Sequence, residues 1–177
     1  MKAPRRAICL IVVGALGLWG GAAASTAAAP QPTPAAWLTV DLKDVVTGKT
    51  FKVADFKGRV TFVEAMAVWC PLCTAQQREF QKLSAEVPDE IVFVSIDIDP
   101  NENAEILRRH TETNGFKWPF AVAPRALARK LAEEFGDRIL HPPSTPVLIV
   151  DKNLQARLLR FGVKSAAELK QEIVRSR

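Results

Sequence analysis

Two cysteines separated by two residues are the part of this chain best suited to chemistry. Residues 69–73 read Trp-Cys-Pro-Leu-Cys, and the apolar pattern after them predicts a helix over 71–86. At a helix start this spacing brings two sulfurs within bonding distance with little change in the backbone. A pair of this kind alternates between dithiol and disulfide. The sequence therefore predicts thiol–disulfide chemistry at Cys70 and Cys73.

The two cysteines are predicted to have different roles. Cys70 would lie at the helix N-terminus, where free N–H groups and the helix dipole stabilise an anion by about 1 kcal/mol. Cys73 lies one turn inside the helix and is expected to remain a thiol until it attacks. We expect Cys70 to be the exposed nucleophile, with no cofactor and no metal needed for the exchange.

Two other uses of the pair fit the sequence less well. A structural disulfide would close so small a loop that it would restrain the unfolded chain little. A zinc site needs four ligands, and only His110 and His141 could join the two thiolates of the mature chain. Both histidines are expected on the surface, His110 on a solvated helix face.

The N-terminus predicts export. Lys2, Arg5 and Arg6 precede an apolar stretch over 7–19, and alanines at 22–24 form a small-residue cleavage site. Residues 1–24 therefore read as a signal peptide, or as an uncleaved anchor that tethers the protein to a membrane through residues 7–24. Either way the protein is expected to be periplasmic or otherwise extracytoplasmic, in an oxidising compartment.

Composition separates a linker from one domain. Residues 25–36 are rich in Ala, Pro, Ser, Thr and Gln and predict a linker, and 37–177 predict a single domain, expected to be a monomer. The formal net charge of +5 falls to +2 without Lys2, Arg5 and Arg6, because residues 1–24 contain no acid. Since the remaining basic residues are interspersed with acids, nucleic acid is not an expected partner.

Strand and helix patterns alternate along the domain. Capping residues predict that one helix begins with Asp99 as N-cap and that another begins at Ser165. The predicted strands cover 37–42, 50–53, 60–66, 91–98, 120–122, 146–150 and 156–161, and the predicted helices 71–86, 99–115, 124–135 and the segment after 165. This alternation predicts an α/β domain with a mixed central sheet flanked by helices and an N-terminal hairpin.

Five short segments carry a family resemblance. They are Asp-Leu-Lys-Asp at 41–44, Gly-Lys-Thr at 48–50, Asp-Phe-Lys-Gly-Arg-Val at 55–60, Trp-Cys-Pro-Leu-Cys at 69–73 and Ser-Thr-Pro-Val at 144–147. Together they resemble the TlpA-like branch of the thioredoxin-fold redoxins, which are periplasmic or membrane-tethered. The resemblance implies a thioredoxin fold with a helix and a strand inserted between residues 100 and 122.

The resemblance also implies roles for particular residues. In such proteins the first cysteine attacks a partner's disulfide and the second resolves the mixed disulfide, which assigns these roles to Cys70 and Cys73. Thioredoxins bury an acid on the central strand that relays protons to the second cysteine, which points to Glu64. A strand-end carboxylate turned to solvent is the alternative for Glu64. Trp69, beside the nucleophile, is either a substrate-facing aromatic or a cover on the sheet edge.

The segment 144–147 matches the family's cis-proline loop, which binds substrate backbone. We therefore expect Thr145 and Pro146 to be substrate-binding residues. Pro146 at the start of a strand suits a cis bond that leaves the Thr145 backbone free to pair with substrate. Pro142 and Pro143 are expected to be trans.

Two classes of function fit these residues. The first is an enzyme that reduces disulfides of specific protein partners and is itself kept reduced by a membrane electron donor. A single thioredoxin-like unit without a dimerisation module favours this direction. The alternative is a copper-binding, metallochaperone-like redoxin that uses Cys70, Cys73 and a histidine, although His141 is offset from the expected position. A peroxidase is a weaker option, because its usual motif is absent.

Overall fold

The computed structural model of the protein describes residues 33–176. The predicted signal peptide at 1–24, with its candidate tether 7–24, and residues 25–32 of the predicted linker lie outside the described residues. Within 33–176 every helix is too short or too polar to span a membrane.

The described chain begins with a 3-10 helix and a hairpin. The 3-10 helix is Ala36–Thr39, and β1 (Leu42–Lys43) pairs antiparallel with β2 (Thr50–Phe51). The predicted hairpin is confirmed, but the predicted strand over 37–42 is wrong in its first part. Trp37 and Leu38 are both buried against the core. In a strand these successive residues would point to opposite faces, whereas the helical turn brings both against the same core cluster.

A five-stranded mixed sheet forms the centre of the structure. Its members are β3 (Val60–Met66), β4 (Ile91–Asp97), β5 (Phe120–Val122), β6 (Val147–Val150) and β7 (Ala156–Leu158). They lie in the order β5-β4-β3-β6-β7. β3, β4 and β5 are parallel, whereas β6 runs antiparallel to β3 and β7 antiparallel to β6. The predicted mixed sheet is confirmed.

Four α-helices within residues 33–176 flank the sheet. They are α1 (Pro71–Ser84), α2 (Ala104–Asn114), α3 (Arg125–Phe135) and α4 (Ala166–Arg175). Ser165 caps α4 through a capping box with Glu168, as predicted. α2 and β5 form the predicted insertion between β4 and α3. This α/β arrangement is the fold class expected from the sequence.

The start of α2 differs from its prediction. Its N-cap is Asn103, whose side chain accepts hydrogen bonds from the N–H groups of Glu105 and Ile106, not Asp99. Asp99 instead accepts the N–H of Asn101 at 2.8 Å and closes a separate turn before the helix. The predicted N-cap, Asp99, therefore belongs to a turn that precedes α2.

Packing on both faces of the sheet leaves the cysteine motif at one end of it. β3 and β6 are buried along their whole length. One face carries an aromatic cluster that joins the sheet to α1 and includes Phe62, Phe80 and Phe93. Because β3 is central and continues directly toward α1, residues at its C-terminal end are held by a rigid scaffold.

Candidate active site

The two cysteines lie where β3 turns into α1. A turn over 67–70 joins Met66, the last residue of β3, to Pro71, the first of α1. Cys70 is the N-cap, and its Sγ accepts a hydrogen bond from the Cys73 backbone N–H at 3.2 Å. Both cysteines are free thiols. The predicted placement of Cys70 at the helix N-terminus, with Cys73 one turn inside, is confirmed.

Neither cysteine side chain is exposed. Cys70 is 1% and Cys73 0% exposed, so the prediction of an exposed nucleophile is wrong in this conformation. The Cys70 sulfur turns inward to cap α1 and packs in an apolar cluster, because the free N–H groups of the helix lie on that side. The exposed apolar side chains beside the pair are Trp69 and Leu72.

Glu64 lies on β3, six residues before Cys70, and is completely buried. Its Oε2 accepts hydrogen bonds from Gln77 Nε2 at 3.0 Å and Ser95 Oγ at 3.1 Å, while its Oε1 has no partner among residues 33–176. Burial raises the pKa of Glu64 to about 8, against the opposing effects of both hydrogen bonds and of the Lys164 charge. The alternative of a carboxylate turned to solvent is excluded.

Cys73 faces the same buried region. Its Sγ donates a hydrogen bond to the Pro142 carbonyl at 3.4 Å. Burial, and next the charge of Glu64, raise the pKa of the Cys73 thiol above its usual range. Cys73 is therefore held as a thiol, and it needs a base before it can attack.

A layer of polar side chains continues from Glu64 toward α2. Gln77 donates to Glu64 through Nε2, and its Oε1 lies 2.7 Å from His110 Nε2. On the other side, Trp118 Nε1 donates to Ser95 Oγ at 3.0 Å. The prediction of a solvated His110 is wrong, because its side chain lies on the buried face of α2, near Phe116 and Phe120. This burial lowers the pKa of His110.

The turn before α2 holds the segment that precedes Cys70. Trp69 Nε1 donates to Asp99 Oδ2 at 2.6 Å, and the Val68 backbone N–H donates to Glu102 Oε2 at 2.7 Å. The hydrogen bond from Trp69 is the largest cause that lowers the pKa of Asp99. Trp69 thus stands on the surface beside the cysteine pair, and a carboxylate fixes its ring.

A further acid lies beneath this turn. Asp97, at the end of β4, is fully buried, and its Oδ1 accepts the N–H of Asp99 at 3.0 Å. Burial and the neighbouring Glu102 carboxylate raise the pKa of Asp97 to about 8. Asp97 is therefore mainly protonated at neutral pH, whereas the half-buried Asp99 is ionised.

The segment at Pro146 differs from its prediction. The Thr145–Pro146 bond is trans, so the cis prediction is wrong, while the bonds before Pro142 and Pro143 are trans as predicted. Thr145 adopts a left-handed backbone with φ 50° and ψ 58°. Its N–H donates to the Pro142 carbonyl at 2.7 Å, and its carbonyl accepts from Lys164 Nζ at 2.6 Å. The backbone expected to be free for substrate is thus engaged internally.

No histidine accompanies the cysteine pair in the described structure. His141 is exposed, with Nδ1 2.9 Å from Ser144 Oγ, and His110 is bound to Gln77. Among residues 33–176, no three His, Cys, Asp or Glu side chains converge as a set that could hold a metal ion. The geometry therefore gives no support to the copper-binding or zinc alternatives.

Two residues near the pair were missed by sequence analysis. Gln76 is buried on the inner face of α1, and Lys164, before α4, is only 2% exposed. The face that α1 buries includes polar as well as apolar residues: Cys73, Gln76, Gln77, Phe80 and Leu83. A helical spacing that includes glutamines was the available signal for Gln76, whereas nothing in the sequence distinguishes Lys164 from a surface lysine.

Comparison with known proteins adds a family to this geometry. The Redoxin family model matches residues 25–158. The chain has no match among functionally curated proteins.

Three solved structures share the fold. A thiol:disulfide interchange protein of the thioredoxin family from Chlorobium tepidum is 22% identical, with a TM-score of 0.65 over 84% of this chain and 99% of that one. A secreted disulfide oxidoreductase of Mycobacterium tuberculosis is 14% identical, with a TM-score of 0.62 over 78% and 97%. StoA from Bacillus subtilis is 19% identical, with a TM-score of 0.59 over 78% and 98%. These likenesses show the fold.

The fold, the family match and the cysteine pair agree with one another. The match to the Redoxin model covers well over half of the chain. The mixed sheet with its inserted helix and strand is the predicted thioredoxin fold, and it places Cys70 and Cys73 together at the start of α1. The chain therefore belongs to the redoxin family and is a thioredoxin-like oxidoreductase.

Proposed function

We propose that this redoxin is an extracytoplasmic thiol–disulfide oxidoreductase that reduces the disulfides of specific protein partners. The observation that carries the proposal is the asymmetry of the cysteine pair. Both cysteines are buried, but the Cys70 sulfur caps α1, whereas Cys73 lies in the region of the Glu64 carboxyl. Cys70 is the nucleophile of the reaction, and Cys73 is the resolving cysteine.

The proposed reaction transfers two electrons to the partner. Cys70 attacks one sulfur of the partner's disulfide as a thiolate, the S–S bond breaks, and the leaving sulfur takes a proton. Cys70 is then joined to the partner through a mixed disulfide. Cys73 loses its proton, attacks the Cys70 sulfur and releases the second partner thiol. The partner ends as a dithiol, and the Cys70–Cys73 pair ends as a disulfide.

Glu64 is the group proposed to take the proton of Cys73. It is buried beside that thiol, and the charges of the two groups act on each other. With a pKa of about 8, Glu64 is mostly protonated at pH 7 and about half ionised at pH 8. Resolution of the mixed disulfide should therefore become faster as pH rises through this range.

The contact with the partner is proposed to begin at Trp69, which is 56% exposed beside the cysteines. Substrate binding at Thr145 and Pro146 stays a prediction. Both residues are buried, so pairing of a partner with Thr145 requires its carbonyl to leave Lys164 first. This requirement favours partners that form several contacts around Cys70 over a small disulfide.

The direction of electron transfer is tested by equilibrating the cysteine pair with glutathione buffers. A reduction potential well below about −200 mV is expected for a reductant, and a value near the strong-oxidant potential of about −120 mV would overturn the proposed direction. A reductant in an oxidising compartment also needs a supply of electrons. We therefore propose a membrane electron donor whose thiolate attacks the Cys70–Cys73 disulfide. A donor that lacks its own resolving cysteine should be captured by the wild-type chain as a mixed disulfide.

The proposed location rests on the N-terminal sequence. We propose a signal peptide or anchor at 1–24, with residues 7–24 as the tether if it is not cleaved, a linker at 25–36 and the redox domain at 37–177. The secreted relative from Mycobacterium tuberculosis supports this location. Fractionation of cells that express a tagged chain tests it: recovery in the periplasm or the membrane is expected, and recovery in the cytoplasm would contradict it.

A further inference from the structure

Lys164 is a buried lysine at the centre of the candidate site. Lysine is almost never fully buried unless its charge is paired or hydrogen-bonded. The Lys164 side chain is 2% exposed, and its Nζ donates to the Thr145 carbonyl at 2.6 Å and to the Arg160 carbonyl at 3.4 Å. The ammonium is thus satisfied mainly by the backbone of the segment that faces the cysteines.

The backbone of Lys164 is tied to the helix that carries the cysteines. Gln76 Nε2 donates to the Lys164 carbonyl at 3.1 Å, and the Lys164 N–H donates to Gln76 Oε1 at 2.8 Å. Gln76 lies three residues after Cys73 on the same face of α1. A pair of hydrogen bonds to one side chain fixes both position and orientation, so Lys164 is held relative to Cys73.

The side chain of Lys164 leads back to Cys73 by a second route. Its Nζ holds the Thr145 carbonyl, and the Thr145 N–H donates to the Pro142 carbonyl at 2.7 Å. The same Pro142 carbonyl accepts the Cys73 thiol at 3.4 Å. Lys164 therefore connects α1, through Gln76, with the segment that contacts the Cys73 sulfur.

The charge of Lys164 acts on the same residues. Burial, together with the nearby Arg160 charge, lowers the pKa of Lys164 to about 8. Glu64, Glu168 and Cys73 act in the opposite direction and raise it. The ammonium therefore stays charged through neutral pH. It makes no direct hydrogen bond to Glu64 in the described structure, so the two groups act on each other through charge.

We infer that Lys164 is a positioning residue for the resolving step: its hydrogen bonds fix the Pro142 carbonyl over the Cys73 sulfur, and its ammonium favours the thiolate that Cys73 must form. The inference rests on the proposed role of Cys73 and deepens it. Lys164 does not touch the partner's disulfide, and it acts through the segment 142–145 and through its charge.

The test measures Cys73 alone in the full chain with Cys70→Ser. The rate of alkylation of Cys73 by iodoacetamide is followed from pH 6.5 to 10, with and without Lys164→Met. Because the rate follows the thiolate fraction, we expect Lys164→Met to react about tenfold more slowly near pH 7. The difference should fade toward pH 10, where the wild-type lysine has lost its charge. Lys170→Met, an exposed lysine paired with Glu86, is the matched control and should react like the parent.

The pH profile separates this role from a structural one. A ratio of rates that is constant from pH 6.5 to 10, or no difference at all, would overturn the inference, because a packing defect does not titrate. If circular dichroism shows that Lys164→Met does not fold, Lys164→Gln takes its place; it keeps a donor for the Thr145 carbonyl without the charge, and the same pH-dependent loss is expected.

The alkylation experiment can fail separately from the proposed function. Iodoacetamide reports on the Cys73 thiol whether or not the protein reduces any partner. If the Cys73→Ser chain captures no partner, the proposed function fails. If the alkylation profile is insensitive to Lys164, only the role of Lys164 fails.

Discussion

The two ends of the cysteine motif are built in different ways. Around Cys70 the hydrogen bonds come from α1 and one turn: the sulfur caps its own helix, and the turn before α2 holds the preceding residues through the Trp69–Asp99 and Val68–Glu102 bonds. Around Cys73 the contacts come from β3, α1, the segment 142–145 and the residues before α4.

This difference separates two tasks of the pair. A helix N-terminus stabilises an anion at Cys70 with backbone groups alone, so no buried charge is needed there. Cys73 lies inside, where an anion is costly, and proton transfer has to be arranged with buried side chains such as Glu64. We therefore expect substitutions near Cys70 to change attack on the partner, and substitutions near Cys73 to change the pH dependence of release.

The largest effect expected is at the cysteines themselves. Cys70→Ser should abolish disulfide exchange, because it removes the nucleophile. Cys73→Ser should still attack and then remain attached to its partner, because the resolving thiol is missing. Non-reducing gel electrophoresis of chains purified with their partners measures this difference.

The reverse pattern would break the comparison. If Cys70→Ser accumulates a mixed disulfide and Cys73→Ser does not, Cys73 is the attacking cysteine and the two ends have exchanged roles. A double substitution of both cysteines serves as the control, because it should capture nothing.

The next effect concerns the proton of Cys73. Glu64→Gln keeps the size of the side chain and an oxygen for Gln77 and Ser95, but it cannot accept a proton. We expect resolution of the mixed disulfide to be slowed by about 10² above neutral pH, the lower end of what general bases contribute. The reduction potential should change little. Single-turnover kinetics between pH 6 and 9 measure the effect.

A matched control for Glu64 is Glu86→Gln, an exposed carboxylate paired with Lys170. It should leave the pH profile of resolution unchanged. If Glu64→Gln resolves the mixed disulfide at the rate of the parent at every pH, Glu64 has only a structural role. Proton transfer by a buried side chain would then no longer distinguish the Cys73 end from the Cys70 end.

Local signals made the Cys70 end predictable from the sequence. The cysteine spacing, Pro71 at the first helical position and the apolar strand before them all concern neighbouring residues, and the structure confirms the placement they predict. Asp99 shows the limit of such signals. It has the sequence pattern of an N-cap, but its carboxylate binds the Trp69 indole, a partner 30 residues away.

The Cys73 end was predictable only in part. The sequence left open whether Glu64 is buried or turned to solvent, and the roles of Gln77, His110 and Lys164 depend on contacts between distant elements. Lys164 lies 88 residues from the glutamine that holds its backbone. The trans bond at Pro146 was also missed, and beside it the Thr145 carbonyl binds Lys164, a contact that no local pattern specifies.

A smaller effect tests the acids beneath the Cys70 end. Asp97 has its pKa raised to about 8, so the folded state loses stability relative to the unfolded chain as pH rises from about 4 to 8. Asp97→Asn removes this loss. We expect the free energy of unfolding of the variant to exceed that of the parent increasingly as pH rises, by on the order of 2 kcal/mol at pH 8. Urea unfolding of both chains measures this difference.

Asp99→Asn is the matched comparison, two residues away and only half-buried. Its pKa is lowered in the folded state, so its contribution is present above its unfolded pKa and disappears as pH falls through the folded value. We therefore expect a small loss of stability at pH 7 that vanishes at low pH, the opposite sign to Asp97→Asn. If both variants change the free energy of unfolding in the same direction, the surroundings of Asp97 and Asp99 do not distinguish the two acids.

The smallest effect expected is at Trp69, where the surface meets the nucleophile. Trp69→Phe keeps an aromatic ring but removes the N–H that bonds Asp99, together with the five-membered ring that carries it. Because this bond is exposed, we expect the free energy of unfolding at pH 7 to change by less than about 1 kcal/mol. Exchange with glutathione should be unaffected, since the Cys70 cap does not involve the indole. Exchange with a disulfide-bonded protein should slow by about a few fold if Trp69 is the contact, because a loosened ring no longer presents a fixed surface. Equal slowing with glutathione would place Trp69 in the alignment of Cys70 instead, and the Cys70 end would then depend on side chains as the Cys73 end does.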